Sequence, residues 1–399
     1  MAERFIYLDH AATTAVSPAV LEKMLPYYNG YYGNPSSVYS IARATRQAVD
    51  EARGVVADIL GARPEEIYFT GSGSESDNWA IKGAAYAAAQ AGIKRHIITS
   101  AIEHHAVLDT FEYLGKHGYD VTFLPVDKYG VVSPGTLEGA MRDDTLLVSV
   151  MAANNEIGTI QPVKELAAIA KEHGALFHTD AVQAAGAIPL DVSELGVDML
   201  TIASHKFYGP KGVGVLYIKS GVKIERFIHG GAQERGRRAG TENVAGIVGF
   251  AEALRIAAAG MEKNNAKLVA LRDRAAREIM AKIPHTLFNG HPEQRLPNNA
   301  HFAFRFIEGE SMLLMLDLKG IGASSGSACT SGSLDPSHVL LAIGMPHEIA
   351  HGSLRVTFGL DNNDADVDYL VEALPPIIER LREMSPLYED YIKSSVKNA

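Results

Sequence analysis

The chain has 399 residues, of which 47% are hydrophobic and 21% are charged, and its formal net charge is −10. This length is sufficient for two domains, while the negative charge argues against nucleic acid or an anionic membrane as a partner. No apolar run approaches the ~20 residues of a membrane-spanning helix. Because the N-terminus lacks a signal-peptide pattern and Cys329 is the single cysteine, we expect a cytoplasmic protein without an intramolecular disulfide.

Short apolar runs alternate with helical patterns through the first part of the chain. The runs lie at residues 67–70, 97–100, 121–126, 146–151, 176–180, 199–204 and 215–218, with helices expected at about 38–60 and 78–90. This alternation predicts an α/β fold with a mainly parallel, seven-stranded sheet. Ligands of such sheets bind beyond the carboxyl ends of the strands.

The second part of the chain predicts a smaller α+β domain. A helical stretch over 242–283, with a break near Gly260 left open, would connect it to the first. Strands are expected near 300–306 and 353–358, and helices near 311–319, 337–343 and 365–384. We therefore assign residues 16–262 to the large domain. Residues 1–15 with 263–399 form the small domain, which carries the Ser/Gly-rich loop 324–333.

Lys206 ends a predicted buried strand, in the sequence Ser204-His205-Lys206. Burial lowers the pKa of a lysine, and an amine in that state can form a Schiff base with an aldehyde. A lysine that reaches the surface at a strand end is the structural alternative. Asp180 ends the preceding strand, so a parallel sheet would bring both side chains to one edge. Asp180 could equally cap the following helix.

A third strand end carries small residues, Gly71-Ser72-Gly73-Ser74, before a helix. Backbone N–H groups at a helix start bind anions. The segment lacks the third glycine of a dinucleotide-binding loop and the Gly-Lys-Ser/Thr of a P-loop, which argues against NAD and ATP. A turn with a capping box is the alternative. Together, an anion site, an acid and a lysine are what pyridoxal phosphate requires.

Other polar residues follow predicted strands or loops. His104 could stack on a flat cofactor and move protons, although a structural histidine is the common case. Asn154 follows another strand, where its amide could bind a cofactor or substrate oxygen. Cys329, in the Ser/Gly-rich loop, is predicted to be an exposed nucleophile rather than a buried apolar side chain. Arg355 could bind a substrate carboxylate, or form a structural salt bridge.

Residues 347–351 match the zinc-hydrolase pattern His-Glu-x-x-His. That pattern needs a helix that places His347 and His351 on one face. Gly352 follows at once and a strand pattern begins at Leu354, so one helical turn is all that remains. No third ligand is evident, and we expect no metal site here.

The motifs together resemble those of the NifS/IscS-type cysteine desulfurases, a branch of the class V aminotransferase group with the fold-type I pyridoxal phosphate architecture. The resemblance covers nearly the whole chain. Its motifs are residues 8–14, 34–37, 103–106, 154–158, 178–183, 204–206, 236–243 and 325–329.

The resemblance implies a role for each matching residue. Lys206 would be the Schiff-base lysine, Asp180 would pair with the ring nitrogen, and His104 would stack on the ring. The cofactor's hydroxyl and phosphate would be held by Gln183, Gly73, Ser74, Ser204, His205 and, from the partner subunit of a homodimer, Thr241. The substrate amino acid would be held by Asn34, Asn154 and Arg355. Cys329 would take sulfur from L-cysteine as a persulfide, leaving alanine.

The same resemblance implies transfer of the sulfur to an acceptor, a NifU/IscU-like scaffold protein, for iron–sulfur cluster or other sulfur-cofactor assembly. Ligation of a cluster by Cys329 during transfer is a further expectation. The alternatives are a selenocysteine lyase or an aminotransferase on the same fold, a zinc hydrolase using His347 and His351, and a non-enzymatic sulfur scaffold or regulatory protein.

Overall fold

The computed structural model describes residues 5–90, 92, 95–325 and 336–397. A seven-stranded sheet has the order β2-β8-β7-β6-β5-β3-β4. Its strands are β2 (Ile67–Thr70), β3 (His96–Ser100), β4 (Asp120–Leu124), β5 (Thr145–Ser149), β6 (Leu176–Asp180), β7 (Met199–Ala203) and β8 (Gly214–Ile218). The neighbouring pairs are parallel except those of β8, which is antiparallel to β2 and to β7. The predicted α/β fold with a mainly parallel sheet is confirmed.

Helices pack on this sheet and close the first core. They are α1 (Pro18–Met24), α2 (Pro26–Asn29), α3 (Ser40–Leu60), α4 (Gly73–Gln90), α5 (His105–Lys116), α6 (Pro134–Ala140), α7 (Val163–Glu172) and α8 (Val192–Leu195). Gly61, at a φ of 64°, ends α3 where the sequence predicted. Helix α4 begins before the predicted start, because the Ser72 hydroxyl accepts the Glu75 N–H at 3.1 Å and caps the first turn.

The second core lies between two small sheets and the C-terminal helices. The strands are β1 (Ile6–Tyr7), β9 (Thr286–Asn289), β10 (Asn299–Phe304), β11 (Ile321–Gly322) and β12 (Ser353–Thr357). β12, β10 and β9 form an antiparallel sheet, and β1 pairs with β11 in parallel. The helices are α10 (Gly309–Asp317), α11 (His338–Ala342), α12 (His347–Ala350), α13 (Asp364–Glu383) and α14 (Pro386–Lys397). Strand β9 and helix α14 were not predicted.

Helix α9 (Val244–Lys282) links the two cores and runs through Gly260 without a break. Phe250 and Leu254 belong to the first core, whereas Leu271 and Ile279 belong to the second. Among the described residues α9 is the one helix long and apolar enough to cross a membrane by length and composition. Its packing against both cores explains that composition. The domain boundaries at residues 16 and 262 stay a prediction.

The segment after β1 runs along the junction of the two cores. Asp9 bridges to Thr357 in the small sheet. The Thr14 N–H donates to the carbonyl of His205, which follows β7. These contacts bring residues from the N-terminal segment to the carboxyl edge of the large sheet, where the polar side chains collect.

Candidate active site

A cavity of about 330 Å³ opens at the carboxyl edge of the large sheet. It is bounded by the start of α4, the ends of β6 and β7, the N-terminal segment and β12. The predicted site residues that line it are Gly73, Ser74, His104, Asp180, Gln183, His205, Lys206 and Arg355. One continuous cavity therefore receives side chains from both cores.

Lys206 lies in a single 3₁₀ turn, Ser204–Lys206, directly after β7. Its Nζ donates to the backbone carbonyls of Ala11 and Ala12, at 2.6 and 2.7 Å. Gln183 donates through Nε2 to the same Ala11 carbonyl, at 2.9 Å. The N-terminal segment thus fixes the position of the lysine amine at the wall of the cavity.

Asp180 ends β6, the neighbour of β7 in the sheet, and it is buried. Its Oδ1 accepts the Val182 N–H at 2.9 Å. Burial raises the pKa of the Asp180 carboxyl to about 6, against the opposing effects of the Val182 N–H and the charge of Lys206. A cation placed against this carboxyl would be bound strongly, since the surroundings supply little water.

The start of α4 forms a cradle for an anion. Ser72, Gly73 and Ser74 line the cavity where the first backbone N–H groups of the helix are exposed to it. A Cβ atom at position 73 would lie 2.9 Å from Cγ2 of Val182. Only glycine therefore leaves the space between the helix start and the β6 turn open.

Two of the four histidines that line the cavity, His104 and His205, are neutral near pH 7. Burial lowers the pKa of His104 to about 4, and Lys206 adds to the effect. Burial and Lys206 likewise lower the pKa of His205 to about 4. Nδ1 of His104 accepts the Ala106 N–H at 3.1 Å, which assigns the ring proton to Nε2.

Arg355 reaches the cavity from β12, and its side chain is buried. Nη2 donates to Oδ1 of Asp9 at 2.8 Å, and Nη1 donates to the carbonyl of Asn155 at 3.0 Å. The guanidinium is thereby oriented by both cores. Its planar fork is the group in this cavity best suited to a carboxylate.

Four of the predicted site residues that the structure describes do not line the cavity: Asn34, Asn154, Ser204 and Thr241. Asn154 is buried and occupied by the backbone: Nδ2 donates to Ile102 at 2.8 Å and Oδ1 accepts the N–H of Glu156 at 2.9 Å. The cofactor or substrate contact of Asn154 stays a prediction, and it is the neighbouring Asn155 that lines the cavity.

Ser204 and Asn34 are also placed elsewhere. Ala203 lines the cavity, whereas Oγ of Ser204 points towards Gly209. A Cβ atom at position 209 would lie only 1.9 Å from that oxygen. Asn34 is exposed, and its Oδ1 accepts the Ser36 N–H at 2.9 Å. Each side chain faces protein groups outside the cavity in this chain, and the ligand contacts of Ser204 and Asn34 stay predictions.

The predicted roles of two further residues, Thr241 and Cys329, cannot be examined in the described part of a single chain. Thr241 is exposed and does not line the cavity of its own chain, so its contribution to a partner's site stays a prediction. Cys329 lies outside the described residues. The loop that carries it continues from Ser324, whose N–H donates to the carbonyl of Arg355.

Several lining residues were not assigned roles from the sequence: Asp77, Glu103, Asn155 and His338. Asp77 lies one turn after Gly73 on α4, so helical spacing was a usable signal for it. His338 comes from α11, and its Nε2 donates to the backbone carbonyl of Glu103 at 2.9 Å. No sequence pattern predicts this contact between α11 and Glu103.

The His-Glu-x-x-His segment forms the one-turn helix that the sequence predicted, α12. The rings of His347 and His351 lie with centroids 4.8 Å apart. In the described ranges, no group of three or more His, Cys, Asp or Glu side chains is arranged to hold a metal ion. The segment lies away from the cavity of Lys206.

The aminotransferase class-V family pattern matches residues 6–370 of this chain. The chain belongs to the class-V aminotransferase family. It is 58% identical over 382 residues to a cysteine desulfurase IscS of Methanosarcina thermophila, covering 96% of this chain and 94% of that protein. The predicted resemblance to the NifS/IscS group of this family is confirmed.

Solved structures from this class-V family agree. A NifS-like protein superposes with a TM-score of 0.89 at 40% identity, and the match covers 94% of this chain and 100% of that protein. The structure of SspA in complex with cysteine superposes with a TM-score of 0.79 at 35% identity, covering 88% of this chain and 98% of that one. The fold is that of fold-type I enzymes, as predicted.

The cavity fits pyridoxal 5'-phosphate, the cofactor of this class-V family. The cradle at Gly73 and Ser74 suits its phosphate, the buried Asp180 carboxylate suits a protonated ring nitrogen, and Lys206 supplies an amine for its aldehyde. His104 and Gln183 line the same space. The residues present are therefore consistent with the predicted cofactor.

Proposed function

We propose that this protein is a pyridoxal phosphate-dependent cysteine desulfurase, which converts L-cysteine to L-alanine and carries the released sulfur on Cys329. The observation that carries the proposal is the meeting of Asp180, Lys206 and the α4 start in one cavity. The 58% identity to a curated cysteine desulfurase over nearly the full chain supports the reaction type.

The cofactor supplies an electron sink for negative charge developing on the substrate. Asp180 keeps the ring nitrogen site protonated, because a buried carboxylate stabilises a neighbouring cation. Lys206 is the amine positioned to take the α-proton of the substrate. His104, neutral with its proton on Nε2, would lie against the ring and would be available to exchange a proton with the substrate sulfur.

Arg355 is proposed to bind the substrate carboxylate, and Asn155 is proposed to replace Asn154 as the amide that contacts the bound groups. Cys329 is proposed as the nucleophile. Its sulfur forms an S–S bond with the substrate sulfur while the carbon–sulfur bond of cysteine breaks. The remaining carbon takes a proton, so that one thiol and one cysteine give one persulfide and one alanine.

We also propose a cytoplasmic homodimer that passes sulfur to a scaffold protein of the NifU/IscU type for iron–sulfur cluster or other sulfur-cofactor assembly, with transient cluster ligation by Cys329. Exposed aromatic side chains near the N-terminus support a protein interface: Tyr28, Tyr31, Tyr32 and Tyr39. Thr241, exposed on its own chain, would complete the partner's phosphate site. Light scattering on the purified protein tests the dimer.

The test of the reaction uses Cys329→Ala with Cys329→Ser as its matched control, assayed for alanine and sulfide with L-cysteine and a thiol reductant. Both variants should keep the visible band of the cofactor and its change on adding cysteine, yet release no sulfide. Normal sulfide release by either variant would remove Cys329 from the reaction. An amino-group transfer product in place of alanine would favour an aminotransferase.

A further inference from the structure

Besides Glu156, three carboxyl groups line the cavity floor. Asp77 comes from α4, Glu103 follows β3, and Asp180 ends β6. All three are buried, with exposures of 1%, 0% and 5%. Carboxylates that are close together and removed from water repel one another, so they cannot all be ionised.

The nearby cationic groups do not balance three negative charges. Lys206 donates to the Ala11 and Ala12 carbonyls, and Arg355 is paired with Asp9. His178 lies 3.6 Å from Asp77, but burial lowers its pKa to about 3, so it carries no charge near pH 7. Protons on the carboxyl groups must make up the difference.

The hydrogen bonds of Glu103 indicate which group holds a proton. Oε1 accepts from the hydroxyl of Ser100 at 2.5 Å and from the Met151 N–H at 2.9 Å. Oε2 is buried and has no hydrogen-bond partner among the residues that the structure describes. An ionised carboxylate would leave the buried Oε2 without a donor, so this arrangement favours the neutral acid.

We propose that Glu103 is a positioning residue that acts as a neutral carboxylic acid, leaving Asp180 as the anion of the cavity floor. The part concerning Asp180 and the cofactor rests on the proposed function, whereas the neutrality of Glu103 does not. The charged or titratable groups facing this floor from the surrounding elements are Asp77, Asp180, Glu156, His104, His105, His205, His338, Lys206 and Arg355.

The titration behaviour of Glu103 agrees with this arrangement. Burial raises the pKa of Glu103 to about 8, more than the Ser100 and Met151 donors lower it. The pKa of Asp77 is also raised by burial and by the charge of Asp180. Asp180 is the least buried of the three, and its raised pKa of about 6 lies below the pKa of about 8 of Glu103.

The direct test is infrared difference spectroscopy of the full-length holoprotein, wild type against Glu103→Gln, between about pH 6 and about pH 10. In the wild type we expect a C=O stretching band of a protonated carboxylic acid that disappears with a midpoint near pH 8. This component is absent from Glu103→Gln, whereas the band of the protonated Asp77 remains. Glu112→Gln, an exposed glutamate on α5, is the control and should keep the band. Absence of the band from the wild type at about pH 7 would overturn the proposal.

A second variant guards against misfolding of Glu103→Gln. Ser100→Ala keeps the acid but removes a donor that favours its ionised form, so the midpoint should move to higher pH. A midpoint that stays or falls would contradict the proposed geometry.

The positioning role predicts a change in the visible cofactor band of the wild type with the same midpoint as the infrared band. Glu103→Gln should lack this change. Identical pH titrations of the cofactor band in the two proteins would overturn the positioning role. A colourless protein would count against the proposed function alone, since the infrared band does not depend on the cofactor.

Discussion

At the scale of single residues, backbone groups hold Lys206 and Asp180, two of the charged side chains of the site. Lys206 bonds to the carbonyls of Ala11 and Ala12, and Asp180 accepts the Val182 N–H. These partners belong to segments outside the strands β6 and β7. The distance between the amine and the acid is therefore set by the N-terminal segment and a turn as well as by the sheet.

Asp180→Asn tests the negative charge of residue 180 while it preserves the size and shape of the side chain. Asparagine can keep the bond from Val182 while it removes the negative charge. We expect a fall in kcat of at least ~10²-fold, because the ring nitrogen would lose its anionic partner, with little loss of thermal stability. Steady-state alanine production measures kcat, and a melting curve measures thermal stability. An unchanged kcat would contradict the role of Asp180.

Asn154 and Asn155 form a matched pair for substitution by alanine. Asn154→Ala leaves the Ile102 carbonyl and two buried N–H groups without partners, so it should lower the free energy of unfolding by about 1–3 kcal/mol. Asn155→Ala should preserve stability and weaken cofactor or cysteine binding. Denaturant unfolding and cofactor titration distinguish them, and the reverse assignment would show that the wrong amide faces the cavity.

The same pair shows what the sequence could and could not predict about the site. Strand periodicity correctly placed Asp180 and Lys206 at one sheet edge. It could not decide between Asn154 and Asn155, or between Ala203 and Ser204, because alternation ends with the strand and the following turn sets the direction of each side chain. Glu103 shows a further limit, since its proton depends on Ser100 and Met151 together.

At the scale of elements, the N-terminal segment holds the site together. It bonds to the loop of Lys206 through Thr14 and to β12 through Asp9. Asp9 also orients Arg355, which is otherwise buried in the second core. A short segment without regular structure therefore aligns a lysine from one core with an arginine from the other.

Asp9→Asn should weaken the hold on Arg355 without removing the arginine. Hydrogen bonds to charged groups contribute about 1.5–3 kcal/mol, so we expect KM for L-cysteine to rise roughly tenfold or more, with a smaller change in kcat. Asp58→Asn, exposed on α3, is the control. An unchanged KM would mean that Asp9 does not position a substrate-binding group.

Element boundaries show where prediction from sequence reached its limit. Helix α4 starts at Gly73 because Ser72 caps it, and that start is what forms the anion cradle. The pattern of apolar residues marks only the buried face of a helix, so it missed this first polar turn. Helix α14 escaped prediction because it packs through Tyr388 and Tyr391 around Phe306 rather than on a continuous core.

At the scale of the whole molecule, buried neutral histidines make stability depend on pH. His301 on β10 is fully buried, and burial lowers its pKa from 6.5 to about 3, with Arg355 and Arg295 adding to the effect. Below about pH 6.5, His301 binds a proton in the unfolded chain but stays neutral in the folded chain. Stability is therefore present above pH 6.5 and is lost as the pH falls towards 3.

His301→Gln should flatten this dependence. The melting temperature of the variant, relative to wild type, should rise steadily as the pH is lowered from about 6.5 to about 4. His178 and the cavity histidines keep part of the acid sensitivity, so the loss is partial. A difference between the two proteins that is constant across this range would show that His301 does not titrate between the folded and unfolded states.

The account depends most directly on a covalent connection between Lys206 and pyridoxal phosphate. Borohydride reduction of the purified holoprotein, followed by tryptic digestion and mass spectrometry, locates that connection. We expect the reduced cofactor on the peptide containing Lys206, and no labelled peptide from Lys206→Ala treated in the same way. A label on another lysine, or no cofactor bound to the wild-type protein, would contradict the account.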